Sequence, residues 1–287
     1  MKKLRIVLEM IKIEHTLFAL PFAAMGALLA ARGIPDGRTL FWILVAMVGA
    51  RSAAMAFNRL VDRDYDAKNP RTASRAIPAG LVSVGFVKGF TALTSLLLIL
   101  AAWQLNLLAL VLSPVALGVV FLYSYTKRFT HWCHAFLGLA LAIAPVGAWV
   151  AVRGDLTLVP LALGAAVVCW LVGFDTIYAL QDAEFDKNAG LHSLPVRFGA
   201  QRALAIARVS HVLMILLLVA LGKLANLHGW YFTGVALAAA LITAEHVLIS
   251  PTDLKRLNIA FFNVNIAVSS GLLLFTALDL YLWLSAV

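Results

Sequence analysis

The chain reads as an all-α polytopic membrane protein. Nine transmembrane helices are expected, in a bundle around a central cavity open to the cytoplasmic side. Three observations lead to the polytopic membrane class; the cavity is expected from the acidic stretches. Of 287 residues, 62% are hydrophobic and only 13% charged, about half the charged share of a globular protein; mean hydropathy is +0.92. Apolar runs long enough for a bilayer, roughly 20 residues each, recur along nearly the whole length. The basic residues cluster in alternate loops between them. No stretch is left over for a separate soluble domain, so residues 1–287 are expected to form one domain.

The net charge of +9 and pI near 9.8 would also suit a nucleic-acid binder. The basic residues, however, sit in short loops between apolar runs, where attraction to anionic lipid and the positive-inside bias account for them. The lipid bilayer is therefore an expected partner and nucleic acid is not. Cys133 and Cys169 lie in apolar context without a CxxC pair and read as free buried thiols.

The first ten residues, MKKLRIVLEM, resemble the start of a signal peptide. Glu9, Lys12 and Glu14 interrupt them before an apolar core forms, so an amphipathic lead-in helix at the membrane surface is expected. The first span covers about 16–32 and ends at Arg32-Gly33. The second, about 39–61, runs into the acidic stretch NRLVDRDYD (58–66), and 62–82 is a polar loop. Spans three and four, about 83–103 and 106–125, are joined by so short a turn at Gln104–Asn106 that they must be antiparallel neighbours. Span five covers about 132–152. Span six, about 156–180, runs into a second acidic stretch, DTIYALQDAEFD (175–186), and 181–200 is another polar loop. Spans seven, eight and nine cover about 201–223, 228–248 and 260–284. Ser113-Pro114 and Ala144-Pro145 should kink spans four and five. Trp103, Trp132, Trp149, Trp230, Tyr231, Tyr281 and Trp283, near span ends, read as interface anchors.

The charges orient this map. With the N-terminus inside, eighteen of the 23 basic residues fall in inner segments, Arg51 falls within span two, and only Arg32, Arg38, Arg153 and Lys223 lie outside. The N-terminus is then cytoplasmic, the C-terminus outside and the span count odd; both acidic stretches open on the cytoplasmic side.

Those two stretches hold seven of the fourteen acidic residues. Asn58, Asp62 and Asp66 are four residues apart; Asp175, Asp182 and Asp186 fall at i, i+7 and i+11. Each set occupies one helical face. Acidic faces at the ends of membrane helices are costly, and crowded carboxylates need a cation to stay charged together. With oxygen donors only and no His or Cys at ligand spacing, the set suits a hard ion such as Mg²⁺, which takes phosphate oxygens for its remaining positions. Arg63, Arg71, Arg75, Lys127, Arg128, Lys187 and Arg197 lie around the stretches and suit a polyanion. Carboxylates, bridging cations and guanidinium groups describe a diphosphate site, and the apolar helix walls beneath could hold a hydrocarbon tail. A lipid diphosphate at the cytoplasmic mouth of a helical bundle is the joint expectation.

The patterns NxxxDxxxD at Asn58–Asp66 and DxxYAxQDxxxD at Asp175–Asp186, with YxYTKR at Tyr123–Arg128 and GLHSLPVRFG at Gly190–Gly199, resemble the signatures of the UbiA superfamily of intramembrane prenyltransferases. The resemblance covers essentially the whole chain. It is strongest to the 4-hydroxybenzoate polyprenyltransferase branch, including a bacterial subgroup tied to menaquinone made through futalosine, which would prenylate a dihydroxynaphthoate. It implies transfer of a polyprenyl group from polyprenyl diphosphate to an aromatic hydroxy acid in the bacterial inner membrane, with either acceptor open. By carry-over, Asn58, Asp62, Asp66, Asp182 and Asp186 would hold two Mg²⁺. Lys127, Arg128 and Arg197 would stabilise the leaving diphosphate, with Arg63 and Tyr125 also lining the substrate. Asp175 and Tyr178 would position the phenol or assist its deprotonation.

Arg51 lies two turns deeper than Asn58 on the same face, where an unpaired arginine costs about 3 kcal/mol on insertion scales. The carboxylate of the aromatic acid is its expected partner. An ion-coupled transporter is the rival from another class, since intramembrane carboxylates also mark ion paths. The outer half, however, carries only Asp36, Asp155 and Asp279 among its acids. His131, His134, His192, His211, His228 and His246 show no ligand pattern and read as loop or interface residues.

Overall fold

The structure is a computed structural model that describes residues 2–11, 16–249 and 259–284. Lys12, Lys255 and Arg256, which entered the charge count, lie outside them. The described residues form helices and no strand: α1 Lys2–Met10, α2 Thr16–Ala31, α3 Gly37–Lys68, α4 Val84–Leu105, α5 Leu107–Thr126, α6 Cys133–Arg153, α7 Leu158–Ala179, α8 Ala183–Asn188, α9 Leu194–Leu224, α10 Gly229–Leu248 and α11 Asn265–Leu284. Among the described residues, eight helical segments are long and apolar enough to cross a membrane, α7 counting together with its short extension through α8. The first expected span appears as the shorter apolar helix α2. The chain is an integral membrane protein. Outward apolar side chains such as Leu93, Val111 and Leu216 are about 60% exposed, as lipid contact requires and water would penalise.

Local chemistry sets the ends. The Asp36 side chain accepts from Thr39 N–H at 3.0 Å and starts α3; Ser83 does the same for α4. Asn106 ends α4 and caps α5 through Ala109 N–H, while its amide donates to the carbonyls of Val150 and Ala151 at the end of α6. One side chain thus fixes the antiparallel α4–α5 turn and ties it to a third helix. Pro114 and Pro145 lie inside α5 and α6. Pro145 meets α2 where Gly26 leaves room: a Cβ there would collide with the Pro145 carbonyl. Such close backbone approach at small residues is how helices associate where lipid supplies no hydrophobic drive.

The main core joins α2, α6, α7, α9, α10 and α11 around Phe22, Trp170, Met214 and Tyr231. On the other flank, α3 packs along α4 and α5. Met10, the last residue of α1, and Ile11 after it are buried against Ala56 and Val87, so the lead-in helix docks on α3 by its C-terminal end.

Three expectations are corrected. Trp149 and Tyr231 are buried, not interface anchors, because their polar atoms find partners inside: Trp149 Nε1 donates to Asp155 at 2.9 Å and the Tyr231 hydroxyl to Leu218 O at 2.8 Å. The side chain of Trp283 lies outside the described residues. Helix α3 continues through Asp62 and Asp66 to Lys68, so the loop begins seven residues later than expected. His134 and His211 are buried in the bundle, each in hydrogen bonds, not in loops or at an interface.

Candidate active site

The first acidic stretch is the last third of α3. Its continuous helix keeps Asn58, Asp62 and Asp66 on one face, and the Asn58 amide donates to Asp62 at 2.8 Å. The second stretch is not one face of one helix. A single 3₁₀ turn, Leu180–Asp182, separates α7 from α8 and rotates the chain more per residue than an α-helix does. Asp175, Asp182 and Asp186 consequently reach three different partners.

Each aspartate of the two stretches meets a basic group, usually from another segment. Arg71 grips Asp182 through two bonds, 2.9 and 2.6 Å, from Nε and Nη2, the strongest arginine–carboxylate geometry. Arg75 reaches back to Asp66 at 2.6 Å. Lys127 bonds Asp186 at 2.9 Å. Arg128 stands 3.9 Å from Asp62 and donates to Val61 O at 2.7 Å, with its guanidinium over the rings of Tyr65 and Tyr125 at 5.3 and 5.1 Å. The bonds from Arg71 and Lys127 bring the 69–75 loop and the α5–α6 loop onto the second acidic stretch. Burial works against the Lys127 ammonium, but the Asp186 carboxylate outweighs it and raises the pKa above the ordinary lysine value. Burial likewise opposes Arg71, and Asp182 more than compensates.

Asp66, Asp182 and Asp186 are buried. Asp66 Oδ2 is buried with no hydrogen-bond partner among the described residues, 3.9 Å from Arg59 Nη1. Such an atom is costly unless a ligand completes it. Among the described residues, no three His, Cys, Asp or Glu side chains stand close enough to hold one ion by themselves. The oxygen-only donor set and the open valence of Asp66 still fit a hard cation, which takes a few carboxylates and completes its shell from phosphate or water.

Beneath lies a cavity of about 320 Å³ between α3, α4, α5 and α6. Arg51, Asn58 and Tyr123 line it toward the acidic end; the rest, apart from Ser113, is apolar and rich in alanine, from Ala54 to Ala109 and Ala151. Such a lining suits a hydrocarbon and not a hydrated ion.

The structure thus brings Asp62, Asp66, Asp182, Asp186, Lys127 and Arg128 together, with Asn58 and Arg51 on the cavity wall. Tyr178 lies under Arg71, 5.9 Å from its guanidinium. Two sequence candidates stand apart. Arg63 is exposed and pairs with its neighbour Asp64 at 3.3 Å, because it projects from the other face of α3. Arg197 is exposed beside His131 and joins no ion pair among the described residues. Sequence reading missed Arg59, which is 6% exposed and donates to Met10 O at 3.4 Å. Its position inside the first motif was the available signal. It also missed His134, bonded to Asp175 at 2.6 Å, for which spacing carried no signal.

Helix bundle, paired charges and apolar cavity define an integral membrane protein with a polar site set at one end of an internal hydrocarbon-lined space. The model of the UbiA prenyltransferase family matches residues 19–267, and the chain belongs to that family. It is 33% identical over 255 residues to a 4-hydroxybenzoate octaprenyltransferase of Yersinia pseudotuberculosis, covering 89% of this chain and 87% of that one. The structure is similar to the apo structure of a UbiA homolog from Aeropyrum pernix K1, with TM-score 0.81, 30% identity and coverage of 95% and 98%. It shares its fold with a UbiA homolog from Archaeoglobus fulgidus bound to GPP and Mg²⁺, at TM-score 0.69, 20% identity and coverage of 95% and 99%. The chain is accordingly a membrane prenyltransferase.

Proposed function

We propose that this enzyme transfers a polyprenyl group from polyprenyl diphosphate to an aromatic hydroxy acid, 4-hydroxybenzoate, in quinone biosynthesis. The observation that carries the reading is the double row of paired charges over the apolar cavity, at the end where Arg51 and Asn58 look in. A single domain over residues 1–287 sits in the bacterial inner membrane, N-terminus cytoplasmic and C-terminus outside, with the acidic end facing the cytoplasm.

Asn58, Asp62 and Asp66 from α3 and Asp182 and Asp186 from the second stretch would hold Mg²⁺, which when bound supplies charge neutralisation of the diphosphate. Arg71, Arg75, Lys127 and Arg128 now neutralise those carboxylates. On binding, they turn from carboxylate to diphosphate oxygens, so charge is exchanged between partners with little net desolvation. They then stabilise the departing diphosphate as the allylic C–O bond breaks. The tail lies along the alanine-rich wall, which keeps water from the allylic cation. Arg51 binds the carboxylate of the acceptor. Asp175 and Tyr178 orient its hydroxyl, so that the ortho ring carbon meets the cation and then loses its proton.

The test is purified protein with radiolabelled prenyl diphosphate, Mg²⁺ and equal concentrations of 4-hydroxybenzoate and a dihydroxynaphthoate. Prenylated hydroxybenzoate, abolished by EDTA and restored by Mg²⁺, is expected. Product from the naphthoate alone reassigns the acceptor; no product from either, with EDTA indifferent, overturns the reading.

A further inference from the structure

One pair at the site, a buried histidine and a half-buried carboxylate, has no part in holding diphosphate or its cation. His134, on the first turn of α6, is fully buried, and its Nδ1 stands 2.6 Å from Asp175 Oδ2 on α7. Its other nitrogen is also committed: the Leu194 backbone N–H donates to Nε2 at 3.4 Å. Leu194 opens α9, where backbone N–H groups have no intrahelical acceptor. A nitrogen that accepts there carries no proton, so the ring's proton is on Nδ1 and points at Asp175. The segment before Leu194 is held too, since His192 N–H donates to Lys127 O at 2.6 Å and the Cys133 thiol to His192 O at 3.6 Å. The imidazole is therefore clamped at both nitrogens by two different elements.

Asp175 is otherwise open. Its side chain keeps 22% exposure, and its Oδ1 takes part in no hydrogen bond among the described residues. Lys127 and Tyr123 both lie within its electrostatic reach. Tyr123 lines the cavity with Arg51, and Tyr178, one turn further along α7, lies under Arg71. A carboxylate free to rotate here would turn toward the Lys127 ammonium, which Asp186 already occupies.

We propose that His134 is a positioning residue: its Nδ1–H holds Oδ2 of Asp175, so that Oδ1 is left to accept the hydrogen bond of the acceptor's ring hydroxyl. This rests on reading the chain as an aromatic prenyltransferase. The clamp also links acceptor binding to the 190–194 loop, which shares the same histidine.

The test compares His134→Asn, whose amide nitrogen can replace Nδ1 as donor to Asp175, with His134→Gln, whose amide reaches the Nε2 place, and with His134→Ala. Expected for the glutamine and alanine variants is a loss of about 10–100-fold in kcat/KM for the aromatic acid. The KM for geranyl diphosphate and the binding of inorganic pyrophosphate with Mg²⁺ should stay within about twofold, and the asparagine variant should recover most of the loss. On an Asp175→Asn background, His134→Gln should add nothing further. Equal loss toward both substrates, failure of asparagine to rescue, or additive losses overturns the proposal. So does full activity in all three variants. Should the substitutions prevent folding, ¹⁵N-histidine spectra of the wild-type protein decide: a buried imidazole with its proton on Nδ1 is expected, and an unprotonated Nδ1 is fatal. Wild-type protein that prenylates no aromatic acid yet shows that Nδ1 proton defeats the proposed function while leaving the His134–Asp175 clamp standing.

Discussion

Asp66 and Asp182 are both expected ligands, yet they differ in what surrounds them. Asp66 is the counter-charge of Arg59 and Arg75, and Arg59 is nearly inaccessible. Asp182 pairs with Arg71, whose side chain is 40% exposed and can turn to water. Asn at either position should lower kcat by about 10²–10³ through lost diphosphate stabilisation. Only Asp66→Asn should also lower the melting temperature in detergent, because stranding a buried charge costs about 3–5 kcal/mol. Equal melting temperatures for the two variants would contradict the assignment of Arg59 as a structural partner. Arg51 makes a separate case: Arg51→Ala should raise the KM for the aromatic acid at least about tenfold with little change for the prenyl diphosphate. Equal rises for both substrates would remove it from the acceptor site.

Between helices, the site depends on close approach. Gly138 of α6 faces the backbone of α7, and a Cβ there would stand 2.9 Å from Val168 Cα. His134 and Asp175 meet across this same α6–α7 contact. Gly138→Val should therefore push the helices apart, costing about 1–3 kcal/mol from overpacking, and lower activity without touching a charged group. Thermal unfolding in detergent together with turnover measures both. A variant with wild-type stability would show that the contact yields without cost. The 3₁₀ turn at Leu180–Asp182 is the other element on which the geometry hangs, since it aims Asp182 at Arg71 and Asp186 at Lys127.

For the molecule in its membrane, orientation decides which side supplies substrate. Alkaline phosphatase fused to the C-terminus should be active and a fluorescent protein at the same place dark, if the acidic end faces the cytoplasm. The reverse pattern would place the diphosphate site outside, where a cell has no prenyl diphosphate to offer. The alanines that line the cavity leave its space open. Replacing those alanines with larger residues would be felt first in the length of prenyl chain accepted.

Much of this protein was legible in its residues. Membrane helices announce themselves because each must bury its backbone polar groups within its own run, so length and hydropathy suffice. The acids of NRLVDRDYD share a face because their period of four is local to one helix. Trp149 and Tyr231 misled because burial of an aromatic depends on whether its polar atom finds a partner, and those partners, Asp155 and Leu218 O, come from the folded chain. The pairing of Arg71 with Asp182 across 111 residues and of His134 with Asp175 across 41 has no local periodicity to reveal it. A helix's position along the membrane normal is written in its own composition. Which faces meet is set by packing between helices, where a glycine at 138 or a 3₁₀ turn at 180–182 redirects the side chains that do the chemistry.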